Sequence, residues 1–146
     1  MLVTLEDIHD PLMELIKEDP VRPHIPPHQR VGNNASVWVL LNEQDEPQSV
    51  VCVAFTDTVP TQEQQLFSYQ GTDATVAVLY TIWAIEKGGG QAMIVHARNH
   101  VKTNLGHIQR LVTLSPLTDM ATKFHIKNGA QLLQINSHTQ NFEYTL

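Results

Sequence analysis

Apolar residues alternate with polar ones in some stretches of this chain, run together in others, and recur every third or fourth place in a few more. Each rhythm predicts an element. Asp10-Pro11 opens a short amphipathic helix, with Asp10 as N-cap, Pro11 in the first turn, Leu12, Leu15 and Ile16 on one face, and Pro20 as the stop. The stretch Pro20 to His28 carries four prolines and reads as an extended, irregular connector that Ile25 pins to the surface. Ser36 to Leu41 and Ser49 to Thr56 flank the polar run Asn42 to Pro47 and predict two antiparallel strands joined by a turn. Val59 to Gly71 is polar with little periodicity and reads as a loop or a weak helix. Ala74 to Ile85, the longest apolar run, suits a central strand buried on both faces.

Glu86-Lys-Gly-Gly-Gly90 breaks that strand. Ile94, Ala97, Val101 and Leu105 then share one stripe of a helix over 91–105, which Gly106 ends. Gln109 to Leu114 predicts a further strand. Thr118 caps a helix reaching Lys127, Asn128-Gly129 terminates it, and Gln131 to Asn136 predicts a final strand. No repeat interrupts this order. At 146 residues the chain is expected to form one domain, residues 1–146, with a core that needs no disulfide or metal staple.

The net charge of −6 argues against sequence-independent nucleic-acid binding, which depends on a basic surface. The single cysteine, Cys52, lies in an apolar run and offers neither a disulfide framework nor a thiolate metal site. No basic segment followed by an apolar core opens the chain, and no run approaches membrane-spanning length, so a cytoplasmic protein without membrane contact is expected. His96 and His100 stand at i and i+4, a spacing able to chelate a metal, but the intervening glutamate and third ligand of a hydrolytic zinc site are absent; no metal is expected. His24 and His28 in the connector read as surface residues.

Two places carry candidate chemistry. Gly88, Gly89 and Gly90 with Gln91 sit between a strand and a helix, where backbone N–H groups and the helix dipole can cradle a phosphate; the plainer alternative is a sharp reversal. Ser115 lies at a strand end and His125 near a helix end, so both can face one pocket. On their own they read rather as a capping hydroxyl in an ordinary strand-to-helix turn and a half-exposed helical histidine beside an Asn-Gly cap.

The segments Thr113-Leu-Ser-Pro116 and Phe124-His-Ile-Lys-Asn-Gly-Ala130 resemble two motifs of the malonyl-CoA decarboxylase family, T-L-S-P and F-H-x-x-N-G-A. That family's catalytic domain is built like a GCN5-related N-acetyltransferase (GNAT). The resemblance extends with gaps through Ser49 to Thr56, Ala77 to Ile82 and Gln134 to Asn136. It implies an α/β (α+β) fold with a mixed, mostly antiparallel sheet flanked by helices. It also implies that Ser115 and His125 are catalytic, that Gly88 to Gln91 hold the pyrophosphate of coenzyme A, and that Thr81 and Asn128 contact the substrate, although Thr81 reads equally as a buried hydroxyl satisfied by the backbone. The implied partner is an acyl-CoA or an acyl carrier thioester, with no prosthetic group; self-association of the chain is left open.

The chain departs from the family twice. Its loop before the helix is shorter, so the family's glutamate there has no match. Nine residues, Pro116 to Phe124, replace a helical insertion. The expected reaction, decarboxylation of a malonyl-type thioester, needs hydrogen bonds to the thioester oxygen and a proton for carbon. His125, neutral or charged, fits as donor or acid, with its cation favoured near a helix C-terminus, and Ser115 fits as the orienter of the departing carboxylate. An N-acyltransferase and a non-catalytic acyl-CoA-binding module stand as alternatives. The first needs a base and often a tyrosine on the later helix, where Phe124 stands instead.

Overall fold

A computed structural model describes residues 1–146 as one mixed sheet with helices and irregular segments on its two faces. Strand β1 (Leu2–Leu5) pairs antiparallel with β2 (Ala35–Leu41), which pairs with β3 (Pro47–Thr56), and β3 with β4 (Val76–Ala84). The β2–β3 turn is closed by Asn42, whose Oδ1 accepts from the N–H groups of Gln44 and Glu46, with Asp45 at φ +60°. Helix α2 (Gly89–Asn104) carries the chain to β5 (Arg110–Thr113), parallel to β4. The two-residue β6 (Ser115–Pro116), helix α3 (Asp119–Lys127), β7 (Gln131–Ile135) and β8 (Thr139–Tyr144) complete the sheet. Its order is β1-β2-β3-β4-β5-β8-β6, with β7 also on β8.

The helices begin and end where side chains meet their free backbone groups. The Asp10 carboxylate accepts from Leu12 N–H at 2.9 Å, although the turn it caps, Pro11–Glu18, is 3-10 rather than α-helical. Thr118 Oγ1 accepts from Ala121 N–H at 3.2 Å, and Gly129 leaves α3 at φ +98°. In the connector, one turn of helix, α1 (Pro27–Arg30), forms.

Alternation along β4 divides the core. Val76, Val78, Tyr80 and Trp83 join Val50, Cys52, Met13, Ile16 and Ile25 under the N-terminal segment, whereas Ala77 and Leu79 join Val51, Met93, Ala97, Phe142 and Tyr144 under α2. The β3–β4 register slips between Cys52↔Thr81 and Val53↔Leu79, which leaves Tyr80 as an extra residue. This bulge turns Thr81 as well as Tyr80 toward the N-terminal face, because the Thr81 hydroxyl donates to Asp19 there at 2.8 Å.

Strands β4 and β5 stay together only as far as Leu79, whose carbonyl accepts from Leu114 N–H at 3.0 Å. Past that bond the chain leaves β4 to pair Ser115 with Gln140 on β8, and a wedge opens between the parallel strands. The next β4 carbonyl, Tyr80 O, instead accepts from Arg22 Nη1. Arg22 belongs to a buried ionic group. Asp19 accepts from Arg30 Nη1 at 2.7 Å, from Thr81, and from the N–H groups of Val21 and Arg22. Burial alone would push the Asp19 carboxyl up; those donors together hold it below the usual carboxylate range.

Four expectations are corrected. The connector is no surface strap, since Arg22, Ile25 and Arg30 in or beside it are buried. Helix α2 begins at Gly89, so Gly89 and Gly90 belong to its first turn and Gly88 alone precedes it. The last strand is β8, not 131–136, and β8 lies inside the sheet while all five β7 residues are exposed. Leu2–Leu5 forms a strand that the sequence reading passed over.

Candidate active site

Three elements bring candidate residues toward the wedge. At the start of α2, Gly88 stands at φ +81°, a conformation open to glycine, and Gly89 and Gly90 are buried. A Cβ on Gly89 would lie 2.4 Å from the Gln48 carbonyl oxygen, and one on Gly90 would lie 2.9 Å from the Phe124 ring. Both glycines therefore have a packing reason: α2 enters hard against β3 and α3. Gly89 N–H donates to Glu86 O at 2.9 Å and Ala92 N–H to Gly88 O at 3.1 Å, but the Gly90 and Gln91 N–H groups find no acceptor in the chain. Gln91 is exposed and Lys87 stands beside it. Two free donors at the positive end of a 16-residue helix suit an anion.

On the far side of the wedge, β6 places Ser115 and α3 places His125, both buried, at 3% and 5% exposure. No hydrogen bond joins them. Both are tied to Phe142 of β8, Ser115 through Thr113 and His125 directly. Thr113 Oγ1 accepts from the Phe142 N–H at 3.0 Å and lies 2.8 Å from Ser115 Oγ, while the Phe142 ring stacks on the His125 imidazole with centroids 5.1 Å apart. Phe124 and Tyr144 meet the imidazole edge-on.

His125 Nδ1 lies 2.7 Å from the Tyr144 hydroxyl, and no other partner holds that hydroxyl. A phenol O–H donating to Nδ1 leaves the proton of the neutral ring on Nε2, which then serves as a donor. Burial lowers the His125 pKa to about 4, so the ring is neutral at pH 7. Of the two forms left open, the neutral one holds, because desolvation in an aromatic cage outweighs the dipole that favours the cation. Burial likewise raises the Tyr144 phenol, against the Arg98 guanidinium that lies 5.8 Å from its ring centroid. Tyr144 was not singled out in the sequence. Its signal was the alternation Gln140, Phe142, Tyr144, which puts both aromatic rings on one face of a strand.

The remaining candidates have structural employment. The Thr81 hydroxyl gives its proton to Asp19 on the N-terminal face, so toward a substrate it only accepts. Asn128 caps α3, its Nδ2 donating to Phe124 O at 2.8 Å. His96 is exposed, and His100 packs edge-on to Trp38; no group of three His, Cys, Asp or Glu side chains is arranged to hold a metal ion. Burial pushes the Cys52 thiol up to about 11, which makes it inert. Two open clefts, of about 370 Å³ beside Trp38 and His100 and about 390 Å³ beside Leu132 and Tyr144, include neither Ser115, His125 nor the glycines.

No protein-family model and no curated protein sequence matches the chain. Solved structures do match its fold. Malonyl-CoA decarboxylase from Agrobacterium vitis superposes with a TM-score of 0.81 at 18% identity, over 100% of this chain and 60% of that one. The GNAT-like decarboxylase GphF in complex with isobutyryl-CoA gives 0.73 at 13% identity, over 99% of this chain and 98% of that one. A Bacillus subtilis acetyltransferase in complex with CoA gives 0.67 at 12% identity, over 99% and 97%. The chain thus has the GNAT-like fold, and it spans about 60% of the length of the malonyl-CoA decarboxylase it resembles. No helix is long and apolar enough to cross a membrane.

Proposed function

We propose that this chain is a CoA-thioester enzyme that decarboxylates malonyl-CoA, or a malonyl-type thioester on a carrier, to the acetyl thioester and CO2. One observation carries the reading: a buried imidazole paired through Nδ1 with the Tyr144 hydroxyl, on the face of β8 where Ser115 pairs with Gln140; with the phenol as donor, Nε2–H is left free for a ligand. The GNAT-like fold, shared with proteins solved with CoA and isobutyryl-CoA, supports a thioester bound along the β4/β5 wedge with its pyrophosphate on the Gly90 and Gln91 N–H groups.

In the reaction the bond between the malonyl methylene carbon and its carboxylate breaks, CO2 leaves, and the bonding electrons become an enolate on the thioester oxygen. The Nε2–H of His125 stabilises that oxygen, Ser115 orients the departing carboxylate, and the carbon takes its proton from water. A neutral imidazole is a better donor here than a reservoir of protons, because giving up Nε2–H outright would leave an imidazolate. A non-catalytic acyl-CoA-binding module is the second reading, favoured by the enclosure of both side chains and the missing insertion. Two assays separate the readings from each other and from an acyltransferase: acetyl-CoA formation from malonyl-CoA, and thiol release from acetyl-CoA with a panel of amines. Activity in the first alone supports the decarboxylase; silence in both beside measured CoA binding supports the module.

A further inference from the structure

The wedge has a charged wall that neither Ser115 nor His125 provides. Arg22 is 5% exposed, and its guanidinium is held at two corners: Nη1 donates to Tyr80 O at the β4 bulge, and Nε donates to Glu63 Oε1 at 2.9 Å. Its remaining nitrogen, Nη2, has no partner, and it is not sealed in, since the enclosed side-chain atoms without partners are those of Ser49, Tyr80 and Trp83. One of those three, the Trp83 indole N–H, lies on the same strand and the same N-terminal face. This face of β4 therefore carries donor capacity that the folded chain does not use.

We propose that Arg22 is a specificity-determining residue: its free Nη2 binds the terminal carboxylate of an acyl thioester lying in the β4/β5 wedge, and so selects a charged acyl group over a neutral one. The inference rests on the CoA-thioester reading above. The charges nearby allow it. Asp19 is consumed by Arg30, Thr81 and two backbone N–H groups, and Glu63 is shared with His24 at 2.6 Å and is 36% exposed. A planar guanidinium fixed by a carbonyl and a carboxylate presents its third corner in a set direction, at little ordering cost. The Tyr80 carbonyl that holds Arg22 sits at the β4 bulge, one residue past the last β4–β5 bond at Leu79 O, which sets the cation beside the point where the strands part.

The test compares acetyl-CoA with sulfoacetyl-CoA, whose sulfonate stands in for the carboxylate and is not lost, by calorimetry on the whole chain. The wild-type chain should prefer sulfoacetyl-CoA. Arg22→Gln should cut that preference roughly tenfold or more while leaving acetyl-CoA affinity nearly unchanged, because a desolvated charge pair is lost. Glu63→Gln, which keeps an acceptor for Nε but removes a competing anion, should raise the preference; a purely structural Arg22 predicts no change. An unaltered preference in Arg22→Gln overturns the proposal. If Arg22→Gln fails to fold, an unaltered or lowered preference in Glu63→Gln overturns it instead. A wild-type chain that binds acetyl-CoA without preferring the sulfonate overturns it too, while leaving the thioester reading intact; failure to bind either ligand removes both.

Discussion

His125 should make stability fall with pH in a window set by its burial. Its folded pKa is about 4 against an ordinary 6.5, because the aromatic cage of Phe124, Phe142 and Tyr144 excludes the water that would solvate a cation. Above pH 6.5 neither folded nor unfolded chains carry the proton, and the stability of the neutral buried ring is fully present. Between about pH 6.5 and 4 the unfolded chain takes up a proton that the folded one refuses, so stability falls; below about 4 both are protonated and the loss is complete. Integrated over the whole window the loss is about 3 kcal/mol, and by pH 4.5 about 2.5 kcal/mol of it is gone. Asp19 and Glu143, held below their ordinary values by their donors, also cost stability as the pH falls, so the comparison must be with His125→Gln, which still accepts from Tyr144. Urea unfolding at pH 7.5 and pH 4.5 on both proteins gives the difference. The wild-type chain should lose about 2.5 kcal/mol more than the variant between the two pH values. Equal losses would refute the buried neutral ring and, with it, the assignment of Nε2–H as the donor.

Other variants should behave as follows. Tyr144→Phe keeps the ring packing but frees Nδ1, so it should cost about 1–2 kcal/mol in urea unfolding and lower decarboxylation while leaving CoA affinity intact. Gln91→Glu puts a negative charge in the first turn of α2, which helps the helix but opposes a phosphate; a raised melting temperature with CoA affinity lowered severalfold in calorimetry is expected. Gly89→Ala tests the helix entry instead, because its Cβ meets the Gln48 carbonyl at 2.4 Å, and thermal unfolding should record a marked loss of stability. Arg30→Met leaves Asp19 short of its buried cation and should cost about 3 kcal/mol in urea unfolding.

Where local chemistry decides an element, the sequence made it readable. Thr118 and Asn128-Gly129 bracket α3, and the apolar runs at 36–41, 49–56 and 74–85 are strands, because a sheet buried on both faces calls for unbroken β-branched residues. Where tertiary contacts decide, it did not. Strand β8 went unassigned because Gln140 and Asn141 are polar, yet both are buried: Gln140 Nε2 donates to Pro116 O and Thr122 Oγ1, and Asn141 Nδ2 to Pro60 O and Thr113 O. The start of α2 was hidden because glycine is a poor helix former; the left-handed Gly88, the Gln48 carbonyl against Gly89 and the Phe124 ring against Gly90 together explain three in a row. Ser115 and His125 were visible through the family resemblance, but Tyr144, 19 residues from His125, and Arg22, 58 from Tyr80, join the site only through the sheet.

The most direct measurement is acetyl-CoA formation from malonyl-CoA, followed by mass spectrometry for the wild-type chain and for His125→Ala, each with CoA affinity measured in parallel. Wild type should convert malonyl-CoA to acetyl-CoA and CO2 in equal amounts. His125→Ala should turn over at least about a hundredfold more slowly with CoA affinity nearly unchanged, since a donor to the enolate acts in the transition state. A wild-type chain that binds CoA yet forms no acetyl-CoA, or a His125→Ala variant as fast as wild type, would contradict the catalytic role assigned to this histidine.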